Sequence, residues 1–208
     1  MHDRAERSGV IRDLFHGRVD RNGYALLLRN LLPAYQAMEA ALADARHHGQ
    51  LRGIAAPELE RAPCLIGDLT AICGSHWHTD LPLLPAGLRY ARRIARIAHG
   101  PAARLAAHAY VRYLGDLSGG QILKRLLARS LGLGPEALTF YAFPAIADVA
   151  ATKRRFRAAL DLAAADAANQ GALLAEATVA FRLNIAVSEA VANAVARRPM
   201  SMLTETAA

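Results

Sequence analysis

Tyr110-Val-Arg-Tyr-Leu-Gly-Asp-Leu-Ser-Gly-Gly-Gln121 sets Gly115, Gly119 and Gly120 inside a stretch whose flanks favour helix. A glycine in a helix interior costs about 1 kcal/mol relative to alanine, so the three give up about 3 kcal/mol together. Gly115 and Gly119 are four residues apart and share one helical face, where main chain rather than side chains meets whatever lies above it. On spacing alone two readings stay open: the face accepts a flat ligand against bare backbone, or it lets a second helix cross closely. Arg112, Asp116 and Lys124 interrupt the apolar run and disfavour a crossing inside a membrane.

Composition narrows the class. A chain of 208 residues with 53% hydrophobic content suits one domain with a substantial core. Alanine richness, few β-branched runs and apolar spacings of three and four predict an all-α protein, with no internal repeat at solenoid period. The formal charge is +7, but the arginines are scattered and aromatic residues are few, which argues against a nucleic-acid partner. A small anionic ligand or an acidic partner protein accounts for the same charge. Cys64 and Cys73 fit neither a zinc spacing nor a bridge and read as reduced core thiols. No signal-peptide pattern opens the sequence and no uncharged run reaches about 18 residues, so the expectation is a soluble, cytoplasmic protein without a membrane partner.

Along the chain, a first helix is expected from about His2 to Phe15, closing at Gly17. Asp20 caps a long second helix that turns Tyr24, Leu27, Leu28, Leu31, Tyr35 and Met38 inward, bends at Pro33 and ends near Gly49. Pro57 starts a helical passage through Cys73, stopped by Gly74, and Gly74 to Pro85 reads as an ordered loop. Pro85 opens a helix with Leu88, Ala91, Ile94 and Ile97 inward, ending at His99-Gly100. From Pro101 a helix enters the glycine cluster, with a bend expected at Gly119-Gly120, and resumes as Ile122 to Leu131. After a turn-rich stretch from Gly132 to Pro144, helices from about Ile146 to Ala163 and from about Gly171 to Ala196 complete a domain of residues 1–198. Pro199 blocks further helix, and residues 199–208 read as a mobile C-terminal tail.

The longer segment Ala107-His-Ala-Tyr-Val-Arg-Tyr-Leu-Gly-Asp-Leu-Ser-Gly-Gly-Gln121 resembles the signature of the biliverdin-producing haem oxygenases. The likeness extends through Pro57-Glu-Leu-Glu, Asp68-Leu, the Tyr90 helix, Phe140-Tyr-Ala-Phe-Pro144, Thr152-Lys153 and Phe181-Arg-Leu-Asn-Ile185. It implies a single-domain multi-helix bundle with haem between the first helix and the glycine helix. It also implies haem b as both cofactor and substrate, iron, O2, and products biliverdin, CO and ferrous iron. The chain carries no flavin or nicotinamide fingerprint, so electrons come from an external donor, a ferredoxin or a flavoprotein reductase of acidic surface.

Residue by residue, the resemblance makes His2 the proximal iron ligand, the match running without a gap through Gly17, Gly23 and Tyr35 to Glu39. By itself a histidine beside Met1 reads as an exposed residue. His16, at the far end of the same helix, is its nearest competitor; His76 and His78 read as loop or surface residues. The resemblance makes Gly115 and Gly119 the backbone floor over the porphyrin and gives Asp116 a water that donates a hydrogen bond on the oxygen side. The alternative for Asp116 is an ordinary solvent-facing residue. Tyr35, Arg112 and Asn184 fall at positions that extend the water network, and each is equally explicable as a satisfied buried polar group. Val111 replaces a hydroxyl-bearing residue found in some members. Phe181 reads as pocket wall or core. Lys153 and Arg157, four apart, suggest an anion between them or else a solvated face; the resemblance sets them, with the Tyr110 hydroxyl, against the haem propionates. A non-catalytic haem carrier or sensor on the same fold, and a basic helical interaction module, are the rival functions.

Overall fold

The structure, a computed structural model, describes residues 7–45 and 49–197, and every regular element among them is helical. His2, residues 46–48 and residues 198–208, where the tail is expected, lie outside the described residues.

The first helix, α1, covers Gly9–Phe15 rather than running unbroken from His2. Ser8 is extended at φ −112° and Gly9 takes φ +51°, a left-handed value that costs glycine little, and together they interrupt any helix arriving from the N-terminal side. The Ser188 hydroxyl fixes this corner by donating to the Ser8 carbonyl at 2.9 Å and accepting the Ile11 amide at 3.2 Å. The second helix, α2 (Arg21–Asp44), opens on Asp20, whose carboxylate accepts the Gly23 amide at 2.7 Å. All six residues of its expected inward stripe are buried, and Pro33 sits inside the helix without ending it.

Beyond α2, a 3-10 turn at Pro57–Leu59 stands apart from α3 (Ala62–Cys73), which Gly74 stops. The expected loop from Gly74 to Pro85 contains one helical turn, α4 (Trp77–Asp80). In α5 (Pro85–Ile97), Ile94 and Ile97 are buried as expected, but Leu88 and Ala91 are only half-buried, and Ala86, Gly87 and Tyr90 complete the inward face. The face is rotated because α5 meets α2 backbone to backbone: a Cβ on Gly87 would lie 2.7 Å from the Asn30 carbonyl oxygen. Buried Asn30 ties the preceding loop to α2, accepting the Leu84 amide at 2.7 Å and donating to the Pro82 carbonyl at 3.2 Å.

The chain then runs through α6 (Ala102–Ala109), a π-helical turn at Tyr110–Leu114, and α7 (Gly115–Leu131). The departure from α geometry therefore falls five residues before the glycine pair, and α7 continues through Gly119 and Gly120. Two carboxylate caps set later boundaries. Asp148 accepts the Ala151 amide at 2.8 Å and starts α8 at Val149 (Val149–Ala163). Asp166 accepts the Asn169 amide at 2.8 Å and starts α9 at Ala167 (Ala167–Ala196), four residues before the expected Gly171. At 30 residues, with mean hydropathy 1.3 over its most apolar window, α9 is long and apolar enough to cross a bilayer. In this molecule it packs on α1, α2, α5 and α6, and its Glu176, Asn184 and Ser188 side chains all find partners inside the bundle.

Glu176 anchors one end of the bundle. It takes a bidentate ion pair from Arg93 of α5 and lies 3.0 Å from Nε2 of fully buried His108 of α6, whose Nδ1 has no partner. Burial lowers the His108 pKa below 6.5 more than Glu176 restores it. A histidine depressed in the folded state is neutral there, so the unfolded chain binds the extra proton and stability is lost as pH falls below 6.5. Urea midpoints measured from pH 8 to pH 5 are expected to decline below that value, and His108→Gln to flatten the decline; a wild-type midpoint level down to pH 5 would contradict this.

Candidate functional site

A groove runs between α1 and the glycine face of α7. Ile11 and Phe15 from α1 form one wall, Leu27 and Leu31 from α2 its base, and Phe181, Asn184 and Ser188 from α9 its side. Opposite lie Val111, Arg112, Gly115, Asp116, Gly119, Gly120 and Leu123. Its cavity of about 110 Å³ adjoins a second of about 160 Å³ lined by Tyr110, Ser118 and Arg157, and the two share Val111, Gly115 and Phe181.

The three glycines do different work. A Cβ added at Gly115 or Gly119 would meet nothing within 4 Å, whereas one at Gly120 would lie 2.7 Å from Cδ1 of Tyr141. Gly115 and Gly119 therefore floor an open slot, which excludes the helix-crossing reading for them. Gly120 is the close contact that seats the loop at Thr139–Tyr141 on α7, where the Gln121 side chain also donates to the Tyr141 carbonyl at 2.8 Å.

Four of the polar residues singled out in the sequence converge at one end of the slot. The Tyr35 hydroxyl donates a very short hydrogen bond to Asp116 Oδ2 and accepts one from Arg112 Nε at 2.8 Å. Arg112 also donates to Asp116 Oδ1 at 3.3 Å and to Asn184 Oδ1 at 2.5 Å. Asp116 is only 6% exposed, so the solvent-facing alternative is wrong. Burial pushes its pKa up, against the opposing pull of the Arg112 charge and the Tyr35 hydrogen bond. Although burial alone would lower it, the Arg112 pKa is raised by the Tyr35 and Asp116 oxygens, so this guanidinium stays charged.

Support comes from behind. Tyr35 packs edge-on against Phe140, with centroids 5.4 Å apart. Asp68 of α3 accepts the Thr139 amide at 2.8 Å and the Phe140 amide at 3.0 Å, fixing that loop to the bundle. Glu39 of α2 accepts the Arg61 and Ala62 amides at 2.6 and 3.0 Å, supplying the missing acceptors at the start of α3.

Other expected residues separate. Tyr110, 37% exposed, and exposed Arg157 line the adjoining cavity, while Lys153 sits one turn earlier on α8, half-buried, outside both linings. Phe181 lies where both cavities meet. His16 binds the Arg12 carbonyl through Nδ1 at 2.7 Å and does not line the slot. No imidazole is among the described residues that line the slot. Sequence reasoning missed Ile11, Phe15, Tyr141 and Ser188. The four-residue spacing of Ile11 and Phe15 is the available signal for the wall, and Tyr141 lies within the Phe140–Pro144 stretch.

The glycine contacts predict opposite stability effects. Gly119→Ala is expected to stabilise the apoprotein by about 0.5–1 kcal/mol, the helix preference of alanine over glycine, because nothing opposes the methyl group. Gly120→Ala is expected to destabilise it by about 1–3 kcal/mol, since the Tyr141 ring must shift. Urea unfolding of both variants decides; equal effects would contradict the division of roles.

The comparisons with known proteins bear on the chain as a whole. The family model described as "Heme oxygenase" matches residues 1–190. "Heme oxygenase 1" of Synechocystis sp. is 37% identical over 184 residues, covering 88% of this chain and 77% of that protein. "Heme oxygenase 1" of Homo sapiens is 34% identical over 192 residues, covering 91% and 67%. Among solved structures, heme oxygenase-1 from Synechocystis in complex with heme superposes with a TM-score of 0.88 at 35% identity, over 94% of this chain and 89% of that one. Heme oxygenase from Leptospira interrogans gives 0.84 at 37% identity, over 90% and 92%. The chain belongs to the haem oxygenase family.

Proposed function

We propose that this protein is a haem oxygenase that binds haem in the slot over Gly115 and Gly119 and opens it, with O2 and electrons from an external donor, to biliverdin, CO and ferrous iron. The observation that carries the reading is the side-chain-free face of α7 set beside a buried, hydrogen-bonded carboxylate. The residues present fit the group. Open space over two glycines suits a flat macrocycle, and Ile11, Phe15, Leu27, Leu31, Leu123 and Phe181 supply apolar surface around it.

Haem, when bound, supplies the iron that activates O2 next to the macrocycle that is cleaved. In this reading His2 would hold the haem iron, through an imidazole in the neutral form that binds metal. Arg157 and the Tyr110 hydroxyl, which line the adjoining cavity, with Lys153 one turn away, would hold the haem propionates. Asp116, held by Tyr35 and Arg112, would anchor a water in the slot and pass protons through it. The raised Asp116 pKa suits proton transfer, because a carboxyl closer to working pH both gives and recovers a proton. Asn184 fixes the Arg112 guanidinium from α9. The excess of 25 lysines and arginines over 18 acidic residues suits an acidic ferredoxin or flavoprotein reductase as donor.

The test is turnover. Haem-loaded protein given ascorbate and an iron chelator is expected to lose its Soret band and gain biliverdin absorption; a stable Soret band would point to a carrier instead. Asp116→Ala is expected to keep the haemin dissociation constant within about threefold while slowing biliverdin formation by about 100-fold or more, the scale of a lost acid–base group. Undiminished turnover in that variant would remove Asp116 from the mechanism.

A further inference from the structure

The helix that walls the slot is capped from outside its own sequence. Ser8 stands at the cap position of α1 in the extended conformation a cap requires, yet its side chain makes no cap hydrogen bond. That work falls to Ser188 of α9, which is 2% exposed. Its hydroxyl accepts the Ile11 amide at 3.2 Å, one of the amides a helix start leaves without an internal partner, and donates to the Ser8 carbonyl at 2.9 Å. A serine inside a helix commonly turns its proton back to the carbonyl four residues earlier, whereas here the one proton crosses to another element. The main chains also meet at this corner: a Cβ on Gly9 would lie 2.4 Å from the Ser188 carbonyl carbon. Because α1 rests on α9 more extensively than on α2 or α7, it takes its position from α9.

Ser188 shares a face of α9 with Phe181 and with Asn184, four residues earlier, and all three line the slot. Asn184 accepts a hydrogen bond from Arg112 of the π-turn, and Arg112 holds Asp116. One face of α9 thus grips both sides of the slot. Ser188 holds the wall that carries Ile11 and Phe15, and Asn184 holds the end that carries Arg112 and Asp116.

We propose that Ser188 is a positioning residue for the slot: by capping α1 from α9 it fixes how far the Ile11 and Phe15 wall stands from the glycine face, and so the gap that receives the macrocycle. The consequence for haem rests on the haem oxygenase reading; the placement of α1 does not. A cap that served only the helix end would be replaceable by one carried on α1 itself. Ser8→Asn supplies such a cap, because asparagine is among the strongest N-cap residues and position 8 already has the backbone conformation for it. It restores the helix start without restoring the tie to α9.

Three measurements compare the wild-type protein, Ser188→Ala and the double variant Ser188→Ala with Ser8→Asn. Spin labels on Arg12→Cys of α1 and Arg125→Cys of α7, both exposed positions, with Cys64 and Cys73 changed to alanine, report the gap in the apoprotein. With Ser188 in place a single narrow distance is expected, and in both variants a broader distribution. The urea midpoint of the apoprotein is expected to fall in Ser188→Ala and to recover in the double variant. In the haemin-loaded protein both variants are expected to lose haemin to excess apomyoglobin about fivefold faster than wild type, because only a fraction of molecules then holds α1 in the binding arrangement. The double variant carries the test even where Ser188→Ala alone does not fold. A narrow, unmoved distance in the variants, unchanged haemin loss, or a double variant in which distance, stability and haemin retention all recover together would overturn the proposal. Failure of the wild-type protein to take up haemin would instead overturn the haem oxygenase reading, and the label distances would still decide how α1 is placed.

Discussion

The buried ion pair between Arg112 and Asp116 is the constraint around which the site is built. A carboxylate at 6% exposure loses its hydration, and removing one partner of such a pair leaves the other charge uncompensated. Asp116 is therefore tolerable only with Arg112 and Tyr35 beside it, and Arg112 only with its remaining donors satisfied, one of them by Asn184. Those bonds tie α2, the π-turn, α7 and α9 together at the end of the slot. The network is thus a folding constraint and a chemical one at once.

The glycines complete the arrangement by asymmetry. Gly120 brings the Thr139–Tyr141 loop hard against α7, which fixes the position of Phe140 behind Tyr35. Gly115 and Gly119, on the exposed side of the same helix, leave space that no side chain of the bundle fills. Alanine at the two open positions would give a more stable helix, so the packing of the fold does not call for glycine there.

Much of this was legible in the sequence, for identifiable reasons. The α2 stripe from Tyr24 to Met38 and its Asp20 cap follow directly from helical spacing and capping chemistry. The starts of α8 and α9 were misplaced only because Asp148 and Asp166 were passed over as caps. The π-turn at Tyr110–Leu114 has no composition cue, so the distortion was assigned to the glycine pair that follows it. Asp116, Arg112, Tyr35 and Asn184 emerged through resemblance, whereas their direct bonding depends on helices distant in sequence. Ile11, Phe15 and Tyr141 escaped notice because only tertiary packing brings an ordinary apolar spacing and a loop aromatic to the same slot.

The most direct measurement is a crystal structure of the protein loaded with haemin. This account predicts a porphyrin lying in van der Waals contact with the backbone of Gly115 and Gly119, its edge beside Asp116 and its propionates toward Arg157. The contrary result would be a porphyrin seated elsewhere, for instance in the cavity of about 500 Å³ bounded by Asp44, Leu51, His99 and Leu105, with the glycine face left bare.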